Sequence, residues 1–326
     1  MSLDTDHKGK AATLLLFAIM LGSMQDAIVK SLSGSYPIYE FVIFRGLASL
    51  PILGGWLIYA GGARQLITPY LPMVLLRAVI ICSAYFSFIL SLAALPMADA
   101  VSYYFTMPFF VAGLAGPFLG ERVRLHRWLA ITAGFLAVVW MVQPGRSGFE
   151  PAAILSLYSA FGYAVSQMMS RYVADKVPPV VIANWQNVIY FSAGLALAVF
   201  VLAFGPFSSA NKSLAFLLRD WLWPKPFDLF LMLTMGALAA VAMGFFINAY
   251  KLAEASFVAA FEYSGMVWAA LFGFLFFQDV PGFRTITGSA IVVAAGLIMA
   301  WFDRRLAGRR PATVVGITPA DSHPSP

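Results

Sequence analysis

The chain has 326 residues, of which 61% are hydrophobic and only 11% charged, against roughly 25% charged in an ordinary soluble domain. Too little polar sequence is left to cover a soluble core, so the composition specifies an integral membrane protein. The net charge of +6 sits mostly in loops and tails beside apolar stretches, which reads as topogenic charge and speaks against nucleic acid as a partner.

Ten apolar stretches of about 20 residues, the length a bilayer core requires, follow in order. They fall at approximately 11–31, 38–59, 72–94, 98–119, 127–143, 151–171, 180–204, 228–250, 255–277 and 284–302. A helix is the only open-chain way to satisfy backbone polar groups in hydrocarbon, so all ten are predicted helices. Residues 1–10 form a short polar N-terminus. No small-residue cleavage site follows the first run, which reads as a retained helix. The connections carry turn residues: SGSYP, GGARQLITP, PGRSGFEP, DKVPP and DVPG. The longest, 205–227, contains WLWPKPF and is expected to anchor at the membrane interface. From Asp303 the chain turns basic and then Pro/Ser/Thr-rich, so 303–326 is expected to be a disordered tail.

The segment DAIVKSLSGSYPIYEFVIFRG (26–46) returns as QMMSRYVADKVPPVVIANWQN (167–187). One offset (171 − 30 = 141) places Lys30 over Arg171, Pro37 over Pro178 and Phe44 over Trp185. It also places Asp26 over Gln167 and Arg45 over Gln186, so a charged pair in the first copy is an amide pair in the second. A second echo joins AGLAGPFLGE (112–121) to AALFGFLFFQD (269–279), at a larger offset (279 − 121 = 158) that implies an insertion between them. Ala112, Gly116 and Gly120, like Ala269 and Gly273, recur every four positions. Such stripes let helix backbones approach closely in lipid, so Gly116 and Gly273 are assigned structural roles.

With the N-terminus in the cytoplasm, the flanking bases divide thirteen inside to six outside, which favours two cytoplasmic termini and an even number of spans. Half of ten is odd, so head-to-tail halves must cross the membrane in opposite senses. The predicted fold class is therefore an all-α integral membrane protein with ten transmembrane helices in two inverted five-helix repeats, 11–143 and 151–302.

Lys30 closing the first span, Pro37 in the turn, Arg45 in the second span and the run ALPMADAVSYYFTMPFF…LGE (94–121) resemble the drug/metabolite transporter superfamily, EamA type. AYKLAEASFVAAFEYSGMVWAALFGFLFFQDVP (249–281) is similar to that family's equivalent run in its second half. The resemblance spans nearly the whole chain except the C-terminal tail and makes each repeat EamA-like. It implies ten helices, a central cavity between the halves and the movement of small metabolites. Members include amino-acid exporters and importers of S-adenosylmethionine or riboflavin. Gln278-Asp279 stands where the family usually shows Gly-Glu.

Few residues carry chemistry. There is no GxxxxGK phosphate loop, HExxH or CxxC, and His7, His126 and His323 lie in tails or a loop. Neither ATP hydrolysis nor a metal site is indicated, and no cofactor is expected. The single Cys82 permits no intramolecular disulfide. Charges inside spans need a partner or a wet cavity. Arg77 is expected to snorkel to a nearby membrane face, and Glu40 and Asp99 to be wet near the outer ends. Asp26, Arg45 and Glu262 lie deeper and are candidates for the pathway, with structural pairing as the bland alternative. Asp26 and Arg45 are expected to form an intramembrane ion pair. Tyr85, Tyr104, Trp185 and Tyr263, with Asn248, suit a cavity for an amphiphilic organic molecule, although any one of them could equally fill space between helices. Pro108 is expected to kink the fourth span and free a backbone carbonyl there.

The reading that follows is a secondary transporter for small organic solutes in an inner membrane, tending to export, with a proton or counter-substrate as the coupling partner. An importer of a vitamin or cofactor on the same fold is the alternative. An enzyme lacks a nucleophile–base pair here, and bulky mid-span aromatics disfavour a channel.

Overall fold

The structure is a computed structural model, described over residues 2–119, 125–142, 150–173, 176–206, 210–252 and 261–307. Its helices are α1 (Ser2–Leu32), α2 (Ile38–Tyr59), α3 (Leu71–Ala94), α4 (Met97–Tyr104), α5 (Met107–Leu119) and α6 (Leu125–Val142). They continue as α7 (Ala152–Val173), α8 (Pro179–Phe204), α9 (Lys212–Leu218), α10 (Pro226–Leu252), α11 (Ser264–Phe277) and α12 (Phe283–Ala307). Among the described residues five stretches are long and apolar enough to cross a membrane: Gly9–Leu32, Ile38–Tyr59, Leu71–Ala94, Pro179–Phe204 and Pro226–Phe246. Trp128–Val142, Ser264–Phe277 and Phe283–Met299 are shorter apolar helices.

The predicted spans are present with four amendments. First, α1 extends back to Ser2 and α12 onward to Ala307, so helix replaces the first part of each expected polar tail; residues 308–326 lie outside the described ones. Second, the fourth span is broken rather than kinked. Thr106 turns back on Tyr103, its amide donating to that carbonyl at 3.2 Å and its Oγ1 at 2.7 Å. Pro108 then occupies the second position of α5, where a missing N–H costs nothing. Third, 253–260 lie outside the described residues, and the ninth span resumes with a turn at Tyr263 before α11. Fourth, the anchor segment 205–227 contains a helix of its own, α9, capped by Asn211 Oδ1, which accepts from the amides of Ser213 and Leu214.

The halves pack as the inverted repeat requires. α1 lies against α10 as α7 lies against α3, and α1 contacts α11 as α7 contacts α4 and α5. Three further pairs, α2 with α8, α4 with α11 and α6 with α12, join equivalent helices of the two halves, and α2 meets α10 as α8 meets α3. Pro37 and Pro178 each stand at the N-cap of the following helix in extended conformation. Phe105, at the break in the fourth span, has Tyr263 as its equivalent (263 − 105 = 158), and the two rings meet 5.8 Å apart. Both discontinuous helices thus cross at one point between the halves. α2 and α10 touch backbone to backbone: a Cβ on Gly236 would strike the carbonyl oxygen of Arg45 and lie 2.7 Å from Ala48 Cβ. Ser49 Oγ donates to the Gly236 carbonyl at 3.0 Å.

At the α1–α2 end, segment 205–227 lies across the hairpin as a strap. Phe216 is buried edge-on against Phe41, and Ser213 Oγ donates to Leu90 O. Arg219 donates to the carbonyls of Ser33 and Tyr36, while Tyr39 OH donates to the Arg219 carbonyl. Tyr36 OH donates to Asp228 at 2.6 Å and accepts from the Lys225 amide; the bond to Asp228 holds this hydroxyl above its ordinary pKa. Glu40 is fully buried beneath the strap, not wet, and its Oε1 accepts from the Leu222 amide at 2.7 Å. Most of the difference between the two repeat offsets (158 − 141 = 17) arises in this strap. The equivalent α2–α3 connection holds only a short 3-10 turn, Ala63–Leu66.

Lys30 also works at the α1–α2 end. Its Nζ donates to Leu95 O at 2.7 Å, pairs with Asp279 at 2.9 Å and lies 5.2 Å above the Phe277 ring. Asp99 accepts from Thr285 Oγ1 at 2.6 Å. Gly273 supplies the carbonyl that accepts the Asp279 amide as α11 ends, and a Cβ there would reach only ordinary contact distance from Met97. Gly116 lies on α5, and its surroundings fall outside the described residues.

Candidate functional site

Between the halves, at mid-span, polar and aromatic side chains from α1, α2, α3, α4, α7 and α8 converge. Arg45 on α2 lies beside two tyrosines, with its guanidinium carbon 4.9 Å from the Tyr85 ring centroid and 5.3 Å from that of Tyr190. Those rings are themselves stacked, 5.0 Å apart at 13°. Cation–π contact of this kind fixes a guanidinium plane without consuming its hydrogen-bond donors. The Arg45 Nε donates to Gln25 Oε1 at 3.4 Å. Asp26, the next residue on α1, is half-buried, and Arg45 is the charge acting on it. The expected direct ion pair between Asp26 and Arg45 is nonetheless not formed among the described residues. The tyrosine rings and Gln25 hold the guanidinium beside the carboxylate without contact.

A second guanidinium approaches from α3. Arg77 is buried, contrary to the expected snorkelling, because α7 and α8 supply acceptors inside the bundle. Its Nε donates to Ser170 Oγ and its Nη1 to Gln186 Oε1, both at 2.7 Å. Gln186 in turn donates to Tyr190 OH at 3.4 Å, and Tyr190 OH to Ile81 O at 3.3 Å. Gln167 donates to Tyr163 OH at 2.9 Å. Tyr104 packs edge-on against Tyr163 at 5.8 Å and tilted against Phe88 at 5.1 Å. Glu262 is half-buried, and its charge acts on Tyr104, Tyr163 and Tyr263. The Tyr263 hydroxyl lies directly against Gly296 of α12, where no side chain would fit.

Asp26, Arg45, Tyr85, Tyr104, Glu262 and Tyr263 are therefore near this centre. Two other sequence candidates are placed differently. Trp185 donates its Nε1–H to Leu66 O at 3.1 Å and packs in the cluster with Leu57, Val74 and Val177 that closes the α2–α3 end. Asn248 is exposed, and its amide donates back to Gly244 O in its own helix. Sequence reasoning passed over Gln25, Tyr163 and Tyr190. For Tyr163 the signal was present on α7, where Ser156, Ser159, Tyr163, Gln167 and Ser170 recur at helical spacing along one face. Among the described residues no group of His, Cys, Asp or Glu side chains could hold a metal ion.

The site thus offers two cations, two carboxylates and several tyrosine hydroxyls in a low-dielectric interior. That suits reversible binding of a small polar-and-aromatic molecule and supplies no nucleophile–base pair. The sequence matches the EamA-like transporter family over residues 9–143 and 150–301. It is 22% identical over 291 residues to an S-adenosylmethionine uptake transporter of Rickettsia prowazekii, covering 89% of this chain and 92% of the relative. It is 30% identical over 271 residues to a riboflavin transporter of Rhizobium johnstonii (82% and 81%). It is 28% identical over 284 residues to the pseudopaline exporter CntI of Pseudomonas aeruginosa (86% and 93%). A solved crystal structure superimposes with a TM-score of 0.61 at 18% identity, over 90% of this chain and 98% of its own, which speaks to the fold alone.

Proposed function

Because the chain belongs to the EamA-like transporter family, we propose that it is a secondary transporter that moves an amphiphilic organic metabolite across the inner membrane by alternating access. The observation that carries this reading is the central cluster: both halves contribute to it, and Arg45 over Tyr85 and Tyr190 joins α2 of one half to α8 of the other. A ligand bound there touches both moving bodies, which is what coupling between binding and rocking requires. Amino acids or related solutes, moved outward, are the substrates first to be tested. Uptake of a cofactor or vitamin is the second reading, favoured by the relatives named for S-adenosylmethionine and riboflavin.

Glu262 is proposed as the group that binds a coupling proton or the substrate's cationic part, since it reaches Tyr104 and Tyr163 across the two halves. Both termini are placed in the cytoplasm by the distribution of Lys and Arg. A cysteine placed at Ala320 on a Cys82→Ala background should label only after the membrane is permeabilised. The deciding experiment is flux in proteoliposomes. Saturable uptake that is stimulated by unlabelled solute inside establishes a carrier, and Glu262→Gln should change its pH dependence. Flux linear in concentration, without counterflow, would remove the carrier reading.

A further inference from the structure

Around the centre of the molecule most polar groups are already engaged. Gln167 holds Tyr163, Gln186 holds Arg77 and Tyr190, and Arg77 also holds Ser170. Three groups are different. The Tyr85 hydroxyl is buried with no hydrogen-bond partner. Among the described residues the Asp26 carboxylate accepts no hydrogen bond, and Arg45 donates only through Nε, leaving both Nη groups unengaged. These three are neighbours that act on one another electrostatically. Leaving the buried Tyr85 hydroxyl unsatisfied is costly, while the half-buried Asp26 and Arg45 keep polar atoms open to a small ligand. An ion pair between Asp26 and Arg45 is not formed; the guanidinium instead lies near the Tyr85 and Tyr190 rings and donates to Gln25.

Opposite charges held close but apart form a slot with an acceptor on one wall and a fork of donors on the other. We propose that this slot binds the head group of a zwitterionic substrate, its carboxylate on Arg45 and Tyr85 and its ammonium or other cationic centre on Asp26. The inference rests on the carrier reading above and narrows its substrate class. A guanidinium fork matches a carboxylate bidentately, and the cation–π contacts with Tyr85 and Tyr190 hold it in place. The remainder of the substrate faces Tyr104 and Tyr163, which suits an aromatic or heterocyclic body. An uncharged aromatic solute would leave both charges unpaired. A site built to bond a polar group discriminates strongly against analogues that lack it.

The test uses the purified full chain and two matched series of probes, with binding read by calorimetry. L-tryptophan, tryptamine and indole-3-propionate share one ring system and differ in the head group. S-adenosylmethionine and methylthioadenosine share a nucleoside, and only the first carries an amino-acid head. In at least one series the zwitterion should bind roughly tenfold to a hundredfold more tightly than its truncated analogues, the span expected of one charge-assisted contact. Arg45→Gln should erase the preference over tryptamine, and Asp26→Asn the preference over indole-3-propionate. Equal affinities within both series, or no binding of either zwitterion, would overturn the slot even if riboflavin bound and exchanged. Discriminating binding without counterflow would leave the slot standing and remove the carrier reading. The wild-type series decides alone should either variant fail to fold.

Discussion

The two copies of the hairpin, 26–46 and 167–187, occupy opposite ends of the molecule and do opposite things with the same positions. In the first copy Asp26 and Arg45 are held apart with groups left unengaged, whereas in the second copy Gln167 and Gln186 are both committed to neighbours within the bundle. Phe44 packs 6.0 Å from Trp221 of the strap, and its equivalent Trp185 donates to Leu66 of a short turn. One copy carries charge and a long cover; the other carries amides and a tight closure. The duplicated hairpin thus carries unengaged charge in one half and engaged amides in the other.

The comparison breaks most readily at Arg77. Arg77→Ala removes both donors that fasten the second copy, leaving Ser170 and Gln186 unpaired. It should cost about 3 kcal/mol, read as a lowered melting temperature in detergent. An unchanged melting temperature would mean that the second copy braces nothing. Next comes the backbone contact that sets Arg45. Gly236→Val drives a side chain into the Arg45 carbonyl and Ala48, and should cost about 2 kcal/mol through overpacking. If ligand binding survives that change untouched, the placement of Arg45 is not what the ligand reads.

A smaller effect sharpens the contrast between the two ends. Tyr36→Phe removes the hydroxyl that bonds the strap's Lys225 amide and Asp228 of α10, about 1 kcal/mol, and should raise the reactivity of a cysteine placed at Glu40 or Tyr39 toward an aqueous thiol reagent. No gain in reactivity would show that the strap does not cover this end in solution. The smallest change is a gain. Gln278 ends α11 at φ 56, a left-handed position that favours glycine, and its amide and that of Asp279 close the turn on Phe274 and Gly273. The equivalent residue of the first half is Gly120 (278 − 120 = 158). Gln278→Gly should stabilise by about 0.5–1 kcal/mol, and a fall in melting temperature would refute the capping account.

The inverted repeat was legible because prolines, bases and aromatics recur at a fixed offset, and hairpin chemistry is local. The same locality explains what was not legible. Glu40 resembled a wet helix-end carboxylate until a segment 182 residues later was seen folded over it. Arg77 stood near a helix start, and nothing adjacent in sequence announced that Ser170 and Gln186 would meet it. Trp185 and Tyr190 lie five residues apart on one helix, and only the partner helices decide that one closes an end while the other lines the centre. Mid-span aromatics announce themselves by composition; their direction is a tertiary fact.

The strap has one more consequence, for the resting state. On the carrier reading, opening the α1–α2 end requires residues 210–227 either to leave the hairpin or to travel with it, whereas at the Ala63–Leu66 turn the described attachment is the hydrogen bond from Trp185 to Leu66 O. If the strap's bonds part on opening, the two mouths are not thermodynamic equals. Each hydrogen bond of about 1 kcal/mol across the strap weights the populations of the two states about fivefold, so two such bonds bias the idle protein about thirtyfold toward one mouth. A carrier assembled from mirrored halves would in this way be given a default posture, and the direction it faces while waiting would be written in a connection that is longer in one half than in the other.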